Sequence, residues 1–373
     1  MRTRTLRPLR CLAALLVLAL LPSLFAGCGP RTKSPGQIVI ITGGLASMPE
    51  EYAKALALES AFDKGTVIVR RVDDADLQSY TKMRTLAEQL LVSYPNLYGI
   101  VYARGTAGIL GAAEYLHTTR PETHQVVCVP ETSETLWKIP AELILDYDRT
   151  AMAEAAVEAA KTLGAGALLY FHSERQQAES GQQALQTAIQ TQCKDQGLDY
   201  DYNLCPDTRE TSAEDLQTYY HSIVAAHAQK NAGQTIAYFA ADPQAQRWLV
   251  DAALQQKGVV PGMSYGALSL GFPAAFSVDL KDHYGDAAYL LERVSAAAKE
   301  QEVAGQIALW QLSLPAAMVG TAVEYLARGY EKAPTDSHVR AAAKAAAGRQ
   351  LKVRALSDTL PSYGFICPLK PVK

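Results

Sequence analysis

From Gln37 onward, short apolar runs alternate with longer segments in which apolar residues recur every three or four positions. QIVIITG (37–43) is β-rich and ends on glycine, whereas MPEEYAKALALESAF (48–62) has helical spacing with acids in its first turn. The same alternation continues through TVIVRRV (66–72), a helix over 76–94, LYGIVYARG (97–105), a helix over 107–119, HQVVCVPE (124–131) and AELILDY (141–147). A second series follows, with helices predicted over 149–164, 178–196, 213–230 and 243–258. Its strands are ALLYFHS (167–173), DYDYNLCPD (199–207), TIAYFAA (235–241) and MSYGALSL (263–270). Strands alternating with helices of this length predict βαβ units and parallel sheets. The nearly continuous apolar character of the strands predicts helices on both sheet faces.

The pattern gives an α/β chain with two consecutive Rossmann-like, doubly wound lobes that divide near Asp146–Arg149. After 270 the elements no longer form a series. A helix over 284–301, an extended IALWQLSLP (307–315) and a helix over 316–330 are too few for a third unit, so they should complete the two lobes. The expected division is an N-terminal lobe of 37–147 plus 314–333 and a C-terminal lobe of 148–313 plus 334–373. The alanine-rich helix over 337–349 and the proline-bearing tail are expected along the second lobe.

The first ten residues carry four arginines and no acid, and an apolar run extends from Cys11 to Ala26. That is the pattern of a secretory signal, and the run is short for a spanning helix of about 20 residues. Leu24-Phe25-Ala26-Gly27-Cys28 resembles a bacterial lipobox, which implies cleavage after residue 27 and a lipid on Cys28. Phe25, where leucine is usual, departs from that pattern, and an ordinary cleaved signal is the alternative. Residues 28–36 then read as a tether. Removing 1–27 takes four of the 35 basic residues, leaving 31 against 38 acidic ones, a balance of −7. Nucleic-acid binding needs a clustered basic footprint, and none is visible. Of the remaining cysteines, no pair has C-x-x-C spacing, and neither cysteines nor histidines show metal-ligand spacing. Cys193 and Cys205 are placed so that a disulfide is open to them, with two unpaired thiols as the alternative.

QIALWQLSLPAAMVGTAVEYLARG (306–329) resembles the closing segment of the type I periplasmic binding proteins. TGG after the first strand and GFP at 271–273 are similar to an uncharacterised family of periplasmic-binding-protein-like bacterial lipoproteins. The resemblance runs from Gln37 to Gly329. It implies two lobes joined by a hinge of about three crossings, a final helix packed back on the first lobe, and a solute held between the lobes.

In open α/β sheets ligands bind beyond the carboxyl ends of the strands. Strand ends of the first lobe offer Gly43, Gly44, Asp73, Arg104, Thr106 and Glu131. Those of the second offer Ser173, Arg175, Asp242 and Phe272. Each also has a structural reading: Gly43-Gly44 as a tight turn, Asp242 as a cap, Arg104 as half of a rim ion pair. Arg104 and Arg175 stand at matching strand ends of opposite lobes, which suits a carboxylate or phosphate. G-x-G-x-x-G, H-E-x-x-H and P-loop motifs are absent, so no cofactor is expected. The expected function is a lipid-anchored solute-binding protein of the bacterial cell envelope, facing the periplasm or exterior. It would present a small polar, anionic solute to the permease of an ABC-type transporter or to a sensor. The alternatives are an interaction lipoprotein without a small ligand, and an isomerase or racemase using Cys128, Glu131, His172 or Cys205.

Overall fold

In the computed structural model, residues 34–130, 139–178, 180–262, 268–330 and 333–373 are described. The leader, Cys28 and Glu131 lie outside the described residues. The first lobe is a seven-stranded sheet of order β10-β11-β5-β4-β3-β1-β2. Its strands are β1 (Gln37–Thr42), β2 (Val67–Arg71), β3 (Leu97–Tyr102), β4 (His124–Cys128), β5 (Leu143–Tyr147), β10 (Lys352–Ala355) and β11 (Ser362–Ile366). All neighbours are parallel except β10 and β11. Successive strand residues point to opposite faces. Ile38 and Ile40 therefore enter one core, while Val39 and Ile41 enter the other.

Helices α1 (Pro49–Ala61), α2 (Asp74–Leu77), α3 (Tyr80–Ser93) and α4 (Ile109–Thr119) follow the first three strands. The expected single helix over 76–94 is broken at Ser79, whose hydroxyl caps α3 by accepting from Lys82 N at 3.4 Å. Of the helix α12 (Leu314–Ala327), every residue but Glu324 is buried, so it is apolar all round. It packs against α1 and against α13 (Asp336–Ala347).

The second lobe has a parallel sheet of β7 (Asp199–Leu204), β6 (Ala167–His172) and β8 (Ile236–Ala240), in the order β7-β6-β8. Bridges Ala237–Val259 and Val260–Ile307 carry it on to the antiparallel pair β9 (Ala308–Trp310) and β12 (Leu369–Pro371). The strand expected at 263–270 falls largely outside the described residues, and the position beside β8 is taken by Val259 and Val260. Helices α5 (Arg149–Thr162), α6 (Glu174–Ala178) and α7 (Ser180–Gln196) precede α8 (Ala213–Lys230) and α9 (Gln246–Gln255). The lobe ends with α10 (Gly271–Ala275) and α11 (Ala287–Glu300).

The chain passes between lobes at 147–149, 310–314 and 366–369, the three crossings expected. The C-terminal segment corrects the expected division. Residues 336–366 belong to the first lobe, where α13 packs on α12 and β11 pairs with β5; only β12 stays with the second. The reason is that β11 is a short strand whose partner β5 lies some 200 residues earlier, a pairing no local pattern shows, and β10 follows it as the sheet edge.

The Cys193–Cys205 disulfide is also corrected: both are buried free thiols. Cys193 lies in the core that Leu168 and Tyr170 enter, and Cys205 in the core that Leu169 and Phe171 enter. Consecutive β6 residues face opposite ways, so the sheet stands between the two sulfurs. Burial pushes both thiols up to about 11.

Two outcomes follow. Alkylation of the unreduced, denatured protein should modify both Cys193 and Cys205, read by peptide mass spectrometry. Phe365, fully buried on β11 between Val353 and Tyr147, ties the tail to the first lobe. Phe365→Ala should lower unfolding free energy by about 3–5 kcal/mol, measured by denaturant titration, whereas a dispensable tail would show almost no change.

Candidate functional site: a charged cleft between the lobes

Both sheets direct their strand carboxyl ends at one cleft of about 930 Å³. That is within the usual range of small-molecule sites, roughly 300–1,000 Å³. Its first-lobe wall is built on α1 and the end of β3. Pro49 occupies the first turn of α1, and Glu50 and Glu51 follow it, where the positive end of the helix dipole favours acids. Both are only 2% exposed. Arg104, just past β3, donates from Nη2 to Glu51 Oε1 at 2.6 Å and from Nη1 to the Ser47 carbonyl at 3.4 Å. Tyr147 lies alongside; burial and the nearby Glu51 charge push its hydroxyl well above the ordinary range.

At the hinge, Arg149 donates to Asp146 Oδ2 at 2.5 Å. It lies flat on the first turn of α7, where a Cβ on Gly181 would come within 2.9 Å of its Nε. Only glycine leaves room for that guanidinium. Next to it, Asp148 caps α5 through Ala151 N at 3.0 Å and accepts from Arg354 Nη2 at 2.5 Å. On the second-lobe wall, Arg175 donates from Nε to Asp207 Oδ2 at 2.6 Å. Burial alone would raise the Asp207 carboxyl, but the Arg209 N–H and the Arg175 guanidinium outweigh it and hold it below the ordinary value. Asp242 accepts from Thr208 Oγ1 at 2.5 Å and from Gln244 N at 2.8 Å.

Of the residues singled out from sequence, Arg104, Thr106, Arg175 and Asp242 line the cleft. The Thr106 hydroxyl is turned to structure, donating to the Leu77 carbonyl at 2.5 Å. The others stand elsewhere. Gly43 donates its N–H to Met48 Sδ at 3.2 Å and would clash with Ser47 Oγ if it carried a Cβ. Gly43 and Gly44 therefore form a tight strand-to-helix turn behind the wall. Asp73 is solvated, its side chain 83% exposed and 3.9 Å from Arg71; its neighbour Asp74 is the one that reaches the cleft. Ser173 is buried against Gln176, and Phe272 stacks on Phe276 in the core.

Glu51, Asp146, Arg149 and Arg209 were missed. The sequence marks Glu50 and Glu51 only as acids in the first turn of a helix, and the end of the fifth strand only as the lobe boundary. Applying the strand-end rule to DYDR (146–149) would have found the Asp146–Arg149 pair.

Among the described residues, no three His, Cys, Asp or Glu side chains are grouped to hold a metal ion. Of the acid and base candidates of the enzyme alternative, the described ones, Cys128, His172 and Cys205, stand off the cleft. Cys128 is fully buried, and burial together with the Glu51 charge raises its thiol far above the ordinary range. His172 is 1% exposed, and burial keeps it below its usual value despite the Ser173 carbonyl beside it.

Residues 37–308 match the model of a family described as "Protein of unknown function (DUF3798)". The chain belongs to that family. No curated protein matches its sequence. Several crystal structures are similar in fold. One, from Clostridium difficile 630 and provisionally described as a transcriptional regulator, is 16% identical with a TM-score of 0.73, covering 91% of this chain and 99% of its own. A periplasmic ribose ABC transporter protein from Conexibacter woesei DSM 14684 is 12% identical with a TM-score of 0.54, over 82% and 90% of the two chains. The substrate-binding protein of a sugar ABC transport system from Bordetella parapertussis 12822 is 11% identical with a TM-score of 0.52, over 93% and 92%. The DUF3798 chain thus has the type I periplasmic binding protein fold.

Glu50 allows a test of the site's electrostatics. Burial raises its pKa above the ordinary 4.5, opposed by hydrogen bonds from Ser313 and Ser269 and reinforced by Glu51. The folded state therefore holds this proton more tightly than the unfolded chain. Its contribution is fully present below about pH 4.5 and is lost as pH rises through the raised value. Glu50→Gln keeps the neutral form at every pH. Across that interval the stability difference should shift progressively in favour of Glu50→Gln as pH rises, read from denaturant midpoints; a pH-independent difference would contradict it.

Proposed function

We propose that this DUF3798 protein is an extracytoplasmic solute-binding protein that narrows two lobes around a small polar ligand. The observation that carries the reading is the cleft itself. Charged side chains from both lobes and from the hinge face a single cavity of about 930 Å³. A ligand there touches both lobes only when they are together, so its binding free energy favours that arrangement. Similarity of fold to proteins described as parts of sugar ABC transport systems supports the assignment.

Arg104, Arg149 and Arg175 are each braced by a carboxylate, which fixes the guanidinium plane and lowers the entropy lost on binding. We assign Arg104 and Arg175 to an anionic group of the solute, approached from opposite walls. The leader and the lipobox-like Leu24–Cys28 support export and a lipid on Cys28, which would hold the lobes at a membrane surface. A membrane permease of an ABC-type transporter then receives the solute. Sensing is the second reading, favoured by the fold shared with the Clostridium difficile protein; the acidic chain would signal through a partner and not by contacting nucleic acid itself. No catalysis is assigned, since Cys128 and His172 lie in the core.

The test is a thermal-shift screen of carboxylates, amino acids, sugars and nucleosides, because a ligand of the folded state alone raises apparent stability. A carboxylate-bearing compound should raise the midpoint. Arg104→Ala and Arg175→Ala should each weaken it about tenfold or more, the loss expected for a charge-assisted hydrogen bond. Binding of uncharged sugars with no effect of either substitution would overturn the anionic assignment. Turnover of a hit would overturn the non-catalytic one.

A further inference from the structure

Glu50 makes contacts that a solute site does not require. Its Oε1 accepts from Leu268 N and from Ser269 N, both at 2.6 Å, and its Oε2 accepts from the Ser313 hydroxyl. Glu50 belongs to the first lobe, on the first turn of α1. Leu268 and Ser269 belong to the second, on the segment leading into α10, and Ser313, in the 310–314 crossing, caps α12. A second piece of the second lobe closes over the same turn: a Cβ on Gly285 would stand 3.5 Å from the Glu50 carbonyl oxygen. One buried carboxylate of the first lobe thus gathers donors from the second lobe and the hinge.

The far side of the hinge leaves room for rotation. A groove of about 1090 Å³ lies between α5 and the α13–β10 segment, and it shares no lining residue with the cleft. In the sheet order, β11 stands between β5, whose end lines the cleft, and β10, which lines the groove, and both β5 and β11 lead into crossings. A rotation that widens the cleft therefore narrows the groove. The groove's walls have opposite signs, with Glu154 and Glu158 on α5 facing Lys344, Arg349 and Lys352 on the C-terminal segment. Narrowing it brings opposite charges together.

We propose that Glu50 is an interlobe latch, whose carboxylate holds the cleft narrowed when no solute is bound and gives up its second-lobe donors when the lobes part. A buried carboxylate is tolerated only while its donors are in place. Parting the lobes hydrates it, so the latch is finite and the two arrangements stay in exchange. The ligand's apparent affinity then scales with the latched fraction. That last consequence rests on the solute-binding reading, but the latch does not.

The test uses the solute-free, full-length protein with fluorophores on non-natural residues at Asp73 and Glu210, exposed positions beside the two rims. Energy transfer should report mainly short interlobe distances in the wild type. Glu50→Ala should increase the long-distance population about tenfold or more, as expected for losing charge-assisted hydrogen bonds. Glu50→Gln, whose amide oxygen still accepts both N–H groups, should stay near the wild type. An alanine variant that melts cooperatively with wild-type distances overturns the latch, as does a wild type already at long distances. Should the alanine variant not fold, an α-hydroxy acid in place of Ser269 turns that backbone N–H into an ester oxygen, removing one second-lobe donor and leaving the carboxylate in place. Lengthened distances there support the latch, and unchanged ones overturn it. None of these readings needs a solute, so a failed ligand screen and a failed latch are distinguishable.

Discussion

The parallel pairing of β11 with β5 sets the geometry on which the cleft depends. It brings the end of the chain back beside the strand that leaves the first lobe, with Phe365 opposite Tyr147. The hinge is locked into that pairing, since Asp148 N donates to the Phe365 carbonyl at 3.1 Å. Gly364 makes the approach possible; a Cβ there would come within 3.1 Å of Asp148 Cα and 2.6 Å of Leu356 Cδ2. From β11 the chain must cross again to reach β12, so three strands of backbone cross the waist together. One hydrophobic cluster runs through both lobes, including Tyr147, Trp310, Leu314 and Cys367 near those crossings. The lobes are consequently held at a defined separation, and the strand ends of both sheets have a common space to face.

What fills that space is charge, arranged so that it costs little to bury. A guanidinium alone at 28% exposure against a closing wall would lose hydration without return; Arg104 instead meets the buried Glu51. Arg149 with Asp146 and Arg175 with Asp207 repeat the solution at the hinge and on the second wall. Each pair keeps a planar donor array aimed and leaves the cleft near electrical balance. Such a surface recognises a ligand by hydrogen-bond geometry more than by bulk attraction. Glu50 stands apart, because its partners are neutral N–H and O–H groups drawn from across the molecule.

The fold assigns no chemistry by itself; the same two-lobed architecture serves proteins described as transport components and one described as a regulator. The reading as a binder comes from the site. Residues with reactive side chains, Cys128 and His172 among them, are spent in the two cores. The cleft itself is lined by the arginine–carboxylate pairs and by amides such as Gln176 and Gln244, groups suited to holding a polar ligand.

The alternation of strands and helices and the parallel sheets were legible in the sequence, because hydrophobic periodicity reports how each residue is buried by its own strand or helix. Strand-end positions were legible in the same way, which is why Arg104, Arg175 and Asp242 were found. The same rule could not tell Phe272, turned into the core, from a residue turned outward, since side-chain direction at a bend depends on what packs there. Cys193 and Cys205 were near in sequence but separated by a sheet. The tail's return to β5, and the meeting of Glu50 with Leu268 and Ser313 across 218 and 263 residues, were decided only by tertiary structure. Local pattern fixes which face of an element is buried. The choice of partner belongs to the packing of the whole chain, where contacts distant in sequence compete on equal terms.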